Sequence, residues 1–319
     1  MELTHEGQVV KSTGSWYSVR DSVSGQLMQA RIKGKLRLIK QNLNNPIAVG
    51  DYVRFFHEPD AETVVIGEVL PRKNYVLRSS THKRHHLHII AANVDQVFIV
   101  SSIVQPNVKP GFIDRLLLTL QTQDIPVSII INKLDLYAEE ELAVLKELQR
   151  IYENIGISFY VVSVEKNLNL DILKAKLAGK VTLCCGHSGV GKSSLLNALM
   201  PELDLKVGEI SDYTGKGQHT TTFAEMFELG QTKLIDTPGI KELGFINLNP
   251  IDVAHNYPEF FKASVNCRFG ANCLHANEPG CEVKRLIETD ELSIIRYNSY
   301  LSVLEETQNL NYWERKTDW

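Results

Sequence analysis

Residues 185–194 read Cys185-Gly-His-Ser-Gly-Val-Gly-Lys-Ser-Ser194. Within them Gly186, His187, Ser188, Gly189, Val190, Gly191, Lys192 and Ser193 spell G-x-x-x-x-G-K-[ST], the phosphate-loop pattern. An apolar run, Val181–Cys185, precedes it, and a helix-like run from Lys192 to Met200 follows. Strand, glycine turn and helix are the context this pattern needs. The glycines let backbone N–H groups turn toward an anion, and the helix start adds its positive dipole end. In that geometry Lys192 reaches the β- and γ-phosphates, Ser193 faces Mg2+, and Ser194 follows in the first helical turn.

Working outward, the same rhythm fills residues 93–245. Val97–Val100, Pro126–Ile131 and Phe159–Val162 are short apolar runs. Helical patterns at Pro110–Gln121, Ala138–Asn154 and Leu168–Leu177 alternate with them. Continuous apolar strands alternating with helices indicate a parallel sheet covered on both faces. Thr222–Leu229 and Thr232–Ile235, joined at Gly230-Gln231, read as a hairpin at the edge of that sheet.

Three further segments give the phosphate loop a specific ligand. Asn132-Lys133-Leu134-Asp135 ends the second strand. The Asp135 carboxylate can accept from guanine N1–H and the 2-amino group, a donor pair adenine lacks, while Asn132 and the stem of Lys133 shape the base pocket. A site left with an unpaired buried acceptor discriminates by about 1–3 kcal/mol or more. Ser163 lies at the end of the next strand, where another base-contacting loop is expected. Gly215-Lys-Gly-Gln-His219-Thr220-Thr221-Thr222 suits a switch I loop whose Thr hydroxyl meets Mg2+ and the γ-phosphate. Asp236-Thr-Pro-Gly239 follows a strand; Asp236 faces Mg2+, and the Gly239 N–H senses the γ-phosphate. These elements are rotated. The usual order begins with the phosphate loop and ends with N-K-x-D, whereas here N-K-x-D comes first. A circular permutation accounts for that, because loops tolerate being cut where the original termini lie close together.

The flanks are of other kinds. Residues 1–72 carry five short runs rich in β-branched and aromatic residues, separated by Gly and Asn punctuation, which suits an OB-fold barrel. Arg31, Lys33, Lys35, Arg37 and Lys40 fall in or just after the third run, a groove edge suited to RNA. Trp16, Tyr17, Tyr52, Phe55 and Phe56 are read as barrel core before stacking platforms. Residues 73–92, polar and basic, read as a linker. In residues 246–319, Cys267, Cys273, His275 and Cys281 give three thiolates and an imidazole, a closed tetrahedral set for one structural Zn2+. The remaining cysteines, Cys184 and Cys185, sit in an apolar strand. An odd count of five is no disulfide framework. Later helical runs present Lys284, Arg285, Arg296 and Tyr297 as residues that touch RNA or form a solvated face.

Charge divides the chain in the same way. Residues 1–90 hold 13 Lys and Arg against 8 Asp and Glu, although the whole chain carries −4. One segment is therefore suited to a polyanion while the rest stays acidic, which excludes a uniformly basic nucleic-acid binder. No run approaches the roughly 20 apolar residues of a membrane span. The first residues show no secretory pattern, so a cytoplasmic location is expected.

The combination resembles the RsgA (YjeQ/EngC) family of circularly permuted small-ribosomal-subunit biogenesis GTPases. The resemblance covers essentially the whole chain: an OB-fold barrel, an α/β P-loop GTPase domain and an α-rich zinc module. It implies hydrolysis of GTP to GDP and phosphate with Mg2+, stimulated by the small subunit, late in the maturation of that subunit. It also implies rRNA as partner; a monomer away from any membrane is expected. Ile240 stands after Gly239, where Ras-type enzymes place a water-orienting Gln. Intrinsic hydrolysis is therefore expected to be slow, with His219 either positioning water or merely packing or contacting RNA.

Overall fold

The computed structural model describes residues 5–14, 16–32, 43–58, 61–79, 87–203, 224–236 and 248–314. Thus Lys33, Lys35, Arg37, Lys40, His219, Thr220, Thr221, Gly239 and Ile240 lie outside the described residues.

The N-terminal strands are β1 (His5–Ser12), β2 (Tyr17–Asp21), β3 (Leu27–Ile32), β4 (Leu43–Asn45), β5 (Tyr52–His57) and β6 (Val64–Val69). Five of them close in the order β1-β2-β3-β6-β5, with β5 pairing back onto β1. Only β3 and β6 run parallel. The barrel is filled by inward-facing residues that include Val9, Tyr17, Val19, Val53, Phe55 and Ile66. Phe56 is buried as well, but Trp16 and Tyr52 are 48% and 41% exposed, so those two leave the expected core.

The described parts of the expected linker, residues 73–79 and 87–92, are mostly strand. β7 (Tyr75–Ser79) and β8 (Leu87–Ala92) pair antiparallel, and β4 joins them. Leu77 and Ile89 bury their side chains with Ala48, and an isolated bridge joins Val49 to Ala91. Val76 and Ala91 of the same strands bury in the central core, so a few apolar residues inside a basic stretch are enough to hold a small sheet.

The central sheet contains β9 (Gln96–Ser102), β10 (Val127–Asn132), β11 (Ser158–Val161), β12 (Val181–Gly186), β13 (Glu225–Leu229) and β14 (Thr232–Asp236). Their order is β11-β10-β9-β12-β14-β13, parallel except for β13. Side chains alternate across a strand, and here both faces are covered. Val97 and Ile99 pack toward α1 (Pro110–Gln121) and α2 (Glu139–Asn154). Phe98 and Val100 pack toward α3 (Leu170–Leu177) and α4 (Lys192–Leu199). The hairpin β13–β14 is not at an edge, as the sequence suggested. β1 of the barrel pairs with β13 at Lys11↔Glu225, which joins barrel and central sheet. Lys11 Nζ lies 2.9 Å from Glu225 Oε2, and Arg20 pairs with Glu228. An exposed strand edge is a hazard that a neighbouring element removes.

The C-terminal module holds α5 (Pro250–His255), α6 (Pro258–Ser264), α7 (Glu282–Glu288) and α8 (Ile294–Glu314). The first two are short helices that the sequence pattern did not reveal; each begins with proline at its first position, as a helix start allows. Arg296 and Tyr297 do not present themselves to a polyanion. Arg296 is 3% exposed, and Tyr297 donates its hydroxyl to the His275 carbonyl at 2.6 Å. Among the described residues no helix is long and apolar enough to cross a membrane.

Candidate nucleotide and metal sites

The C-terminal ends of β9, β10, β12 and β14 lie at one end of the parallel sheet, which is where ligands sit on such a sheet. Gly186 closes β12 opposite Val100. A Cβ there would lie 2.2 Å from the Val100 carbonyl oxygen, so only glycine lets the two backbones approach. Gly191 has φ +84°, and a Cβ on it would lie 2.5 Å from Asn132 Nδ2. The chain then enters α4 at Lys192, whose Nζ lies 3.6 Å from Asp236 Oδ1 at the end of β14. β14 and β12 are paired at Cys184↔Asp236, and this register brings the two charged groups to one point. Ser193 and Ser194 occupy the first turn of α4, half-buried.

The N-K-x-D segment is tied into this loop although it lies more than fifty residues earlier. Asn132 is 2% exposed. Its Nδ2 donates to the Val190 carbonyl at 3.1 Å, and its Oδ1 accepts from the Val164 N–H at 3.3 Å. Lys133 has φ +68°, and its Nζ donates to the Gly189 carbonyl at 2.7 Å and to that of Gln105. Burial draws its pKa down, and Asp135 opposes that. Leu134 begins a single 3-10 turn, Leu134–Leu136, that leaves Asp135 exposed. Ser163, buried, donates its hydroxyl to Asp135. An exposed carboxylate held by a buried hydroxyl is an acceptor with a fixed direction, open to a ligand.

Sequence reasoning missed two contributors. The loop after β9 packs on the phosphate loop, with Pro106 Cδ 3.5 Å from where a Gly189 Cβ would stand. Phe112 on α1 sets its ring 3.9 Å from that of His187. Burial, then the Lys109 charge, lowers the His187 pKa, so the ring is neutral at neutral pH. Both contacts are long-range and carry no local signature; a proline shortly after an apolar strand was the only visible trace.

The same helix runs into the C-terminal module. Two residues beyond Phe112, the buried Asp114 meets Arg296 of α8 at 2.7 Å and accepts from the Tyr152 hydroxyl at 3.0 Å. Arg296 also bonds both oxygens of Glu259 on α6, at 2.8 and 3.1 Å, and lies 4.6 Å from the Tyr257 ring centroid. Burial opposes its charge, but Asp114 and Glu259 outweigh burial and keep the guanidinium protonated.

In that module, Cys267, Cys273, His275 and Cys281 are all buried, with ligand atoms within 4.8 Å of one another. His275 Nδ1 lies 3.4 Å from Cys281 Sγ and 3.7 Å from Cys267 Sγ. Ligand–ligand separations of about 3.5–3.8 Å are those of a tetrahedron with bonds near 2.0–2.3 Å, so the donor set is compatible with zinc. The surrounding contacts fix it. His275 has φ +55°, its carbonyl is held by Tyr297, and the Glu282 N–H donates to Cys267 Sγ at 3.2 Å.

Comparisons with known proteins agree with this architecture. The family model for the RsgA N-terminal domain matches residues 6–65, and that for the RsgA GTPase matches residues 69–246. A protein named small ribosomal subunit biogenesis GTPase RsgA from Bacteroides fragilis is 44% identical over 308 residues, 96% of this chain and 98% of that one. One of the same name from Flavobacterium johnsoniae is 45% identical, covering 94% and 92%. The crystal structure of YjeQ from Thermotoga maritima superposes with a TM-score of 0.73 at 32% identity, covering 95% and 98%. YloQ, described as a circularly permuted GTPase, gives 0.69 at 30% identity, with 95% of each chain covered. Two domain models in tandem and relatives matched along almost their whole length place the chain in the RsgA GTPase family.

Proposed function

We propose that this chain binds GTP with Mg2+, hydrolyses it to GDP and phosphate, and acts in maturation of the small ribosomal subunit. The observation that carries this reading is the junction of Asn132 and Lys133 with the phosphate-loop carbonyls of Val190 and Gly189. A guanine acceptor at Asp135 and a phosphate cradle at Gly186–Ser194, so joined, would serve one nucleotide. Asp135 receives the base, with Ser163, Asn132, Lys133 and Leu134 around it. The backbone from Gly186 to Ser194 and Lys192 hold the phosphates. Ser193 and Asp236 would hold Mg2+, which neutralises charge on the β- and γ-oxygens. Outside the described residues, Thr220, Thr221 and Gly239 are the proposed γ-phosphate contacts. His219 is a candidate to orient water, because Ile240 cannot.

The relatives' printed name supplies the ribosomal assignment. The basic N-terminal segment and the barrel suit rRNA. Residues 1–72, 93–245 and 246–319 remain the proposed working units, in a monomer acting in the cytoplasm. Nucleotide state would change how the flanking modules meet the subunit. Subunit affinity measured with a non-hydrolysable GTP analogue is expected to exceed that with GDP; equal affinities contradict the switch.

The metal is proposed to be one structural Zn2+ with all four positions filled by protein. Metal analysis of purified protein should give one zinc per chain. Cys281→Ser or chelation should unfold the C-terminal module, since structural zinc supplies folding free energy directly. GTP binding by residues 93–245 is expected to survive. A chelated protein with an unchanged unfolding profile contradicts the assignment.

A further inference from the structure

Tyr137 follows the single turn that carries Asp135. Its ring packs against the central core, as Leu134 and Leu142 do, but its hydroxyl turns back to the sheet. There it donates to the carbonyl of Asn132, five residues earlier, and accepts from the Ile103 N–H at 2.8 Å. β9 and β10 end their pairing at Ser102↔Asn132, so the hydroxyl bridges the two strands where they part. Two consequences follow. The bond to Asn132 closes a ring around Lys133–Leu136, the four residues that hold Asp135. The bond to Ile103 fixes the start of the loop whose Gln105 carbonyl accepts from Lys133. Burial raises the phenol pKa to about 12, so the hydroxyl keeps its proton and can donate and accept together.

We propose that Tyr137 is a positioning residue for guanine selection: its hydroxyl sets the backbone from which Asp135 meets the base. The inference rests on the assignment of Asp135 to guanine. No part of Tyr137 needs to touch nucleotide. Tyr137→Phe keeps the packed ring and deletes only the bridging oxygen, leaving the Asn132 carbonyl and Ile103 N–H without that partner.

The test is equilibrium binding of GTP and ATP to the full chain and its variants, with kcat at saturating GTP. Tyr137→Phe is expected to weaken GTP binding about tenfold. ATP binding and kcat should change far less than GTP binding, because the Tyr137 hydroxyl itself bonds Asn132 and Ile103 and no residue of the phosphate loop. In an Asp135→Ala background the same change should have no further effect on GTP. GTP binding unchanged by Tyr137→Phe overturns the proposal, as does an equal fall for GTP and ATP, which marks general loosening. A wild-type chain that does not prefer GTP to ATP overturns the guanine assignment itself, and this inference with it.

Discussion

Arg296→Ala will destabilise the folded chain by about 3–5 kcal/mol, the cost of breaking a buried ion pair by removing one partner. The size follows from what the substitution leaves behind. Asp114, 1% exposed, loses the cation 2.7 Å away, and Glu259 loses both of its bonds to the guanidinium. Two carboxylates would then face each other across a cavity with no positive charge between them. The Tyr257 ring also loses the cation stacked on it. Lysine is not an adequate substitute, since a single ammonium cannot reproduce the planar fork that serves both carboxylates. The loss should appear first as release of the C-terminal module from α1, read by protease cleavage within residues 248–314 and by an early thermal transition. As a comparison, Arg150→Ala removes only an exposed pair with Glu147 on α2 and should leave the transition where it is. Arg296→Ala unfolding like wild type would mean that the module is held by apolar contacts alone.

Asp135→Asn will reduce GTP affinity on the order of a hundredfold and make XTP the better ligand, through a mismatch of about 2–4 kcal/mol at a charged acceptor. Guanine offers two donors, N1–H and the 2-amino group, to the carboxylate. An amide keeps one acceptor and turns the other position into a donor that opposes the 2-amino group. Xanthine carries a carbonyl at that carbon, so the same donor now pairs. Ser163 can still donate to the remaining oxygen, so the turn keeps its shape and the change stays local. Competition binding with GTP, XTP and ATP reads this directly. GTP affinity within twofold of wild type would remove Asp135 from the base site.

Much of the fold was legible because it is written locally. Val97–Val100 and Ile129–Ile131 are apolar on both sides, and alternate residues of each strand do bury on opposite faces of the sheet. The phosphate loop, the N-K-x-D turn and the Cys/His set are short, and the role proposed for each residue follows from its own chemistry. What the sequence hid is written between distant positions. Asp114 and Arg296 are 182 residues apart, and nothing near either one says that it is buried. The Lys11↔Glu225 pairing that covers β13 crosses more than two hundred residues, so the hairpin reads as a free edge. Tyr137 looks like one more apolar position beside a helix, and only the parting of β9 and β10 gives its hydroxyl a use. The basic stretch 73–92 reads as linker because Leu77 and Ile89 need Ala48, on another strand's approach, to complete a core.

The connections also differ in kind. The C-terminal module is joined to α1 by a buried network, and α1 touches the phosphate loop through Phe112 and His187. The barrel is joined to the central domain by the β1–β13 pairing, by partly exposed ion pairs, and by Val10 and Val49, which bury in the central core.

The proposed GTPase is expected to turn over slowly by itself and faster on the small ribosomal subunit. The direct measurement is steady-state GTP hydrolysis by the purified chain alone, with small subunits and with large subunits. Slow release of phosphate by the chain alone and by the chain with large subunits, and a severalfold or greater rise with small subunits only, is the predicted result. Equal rates in all three, or no hydrolysis in any, would contradict it.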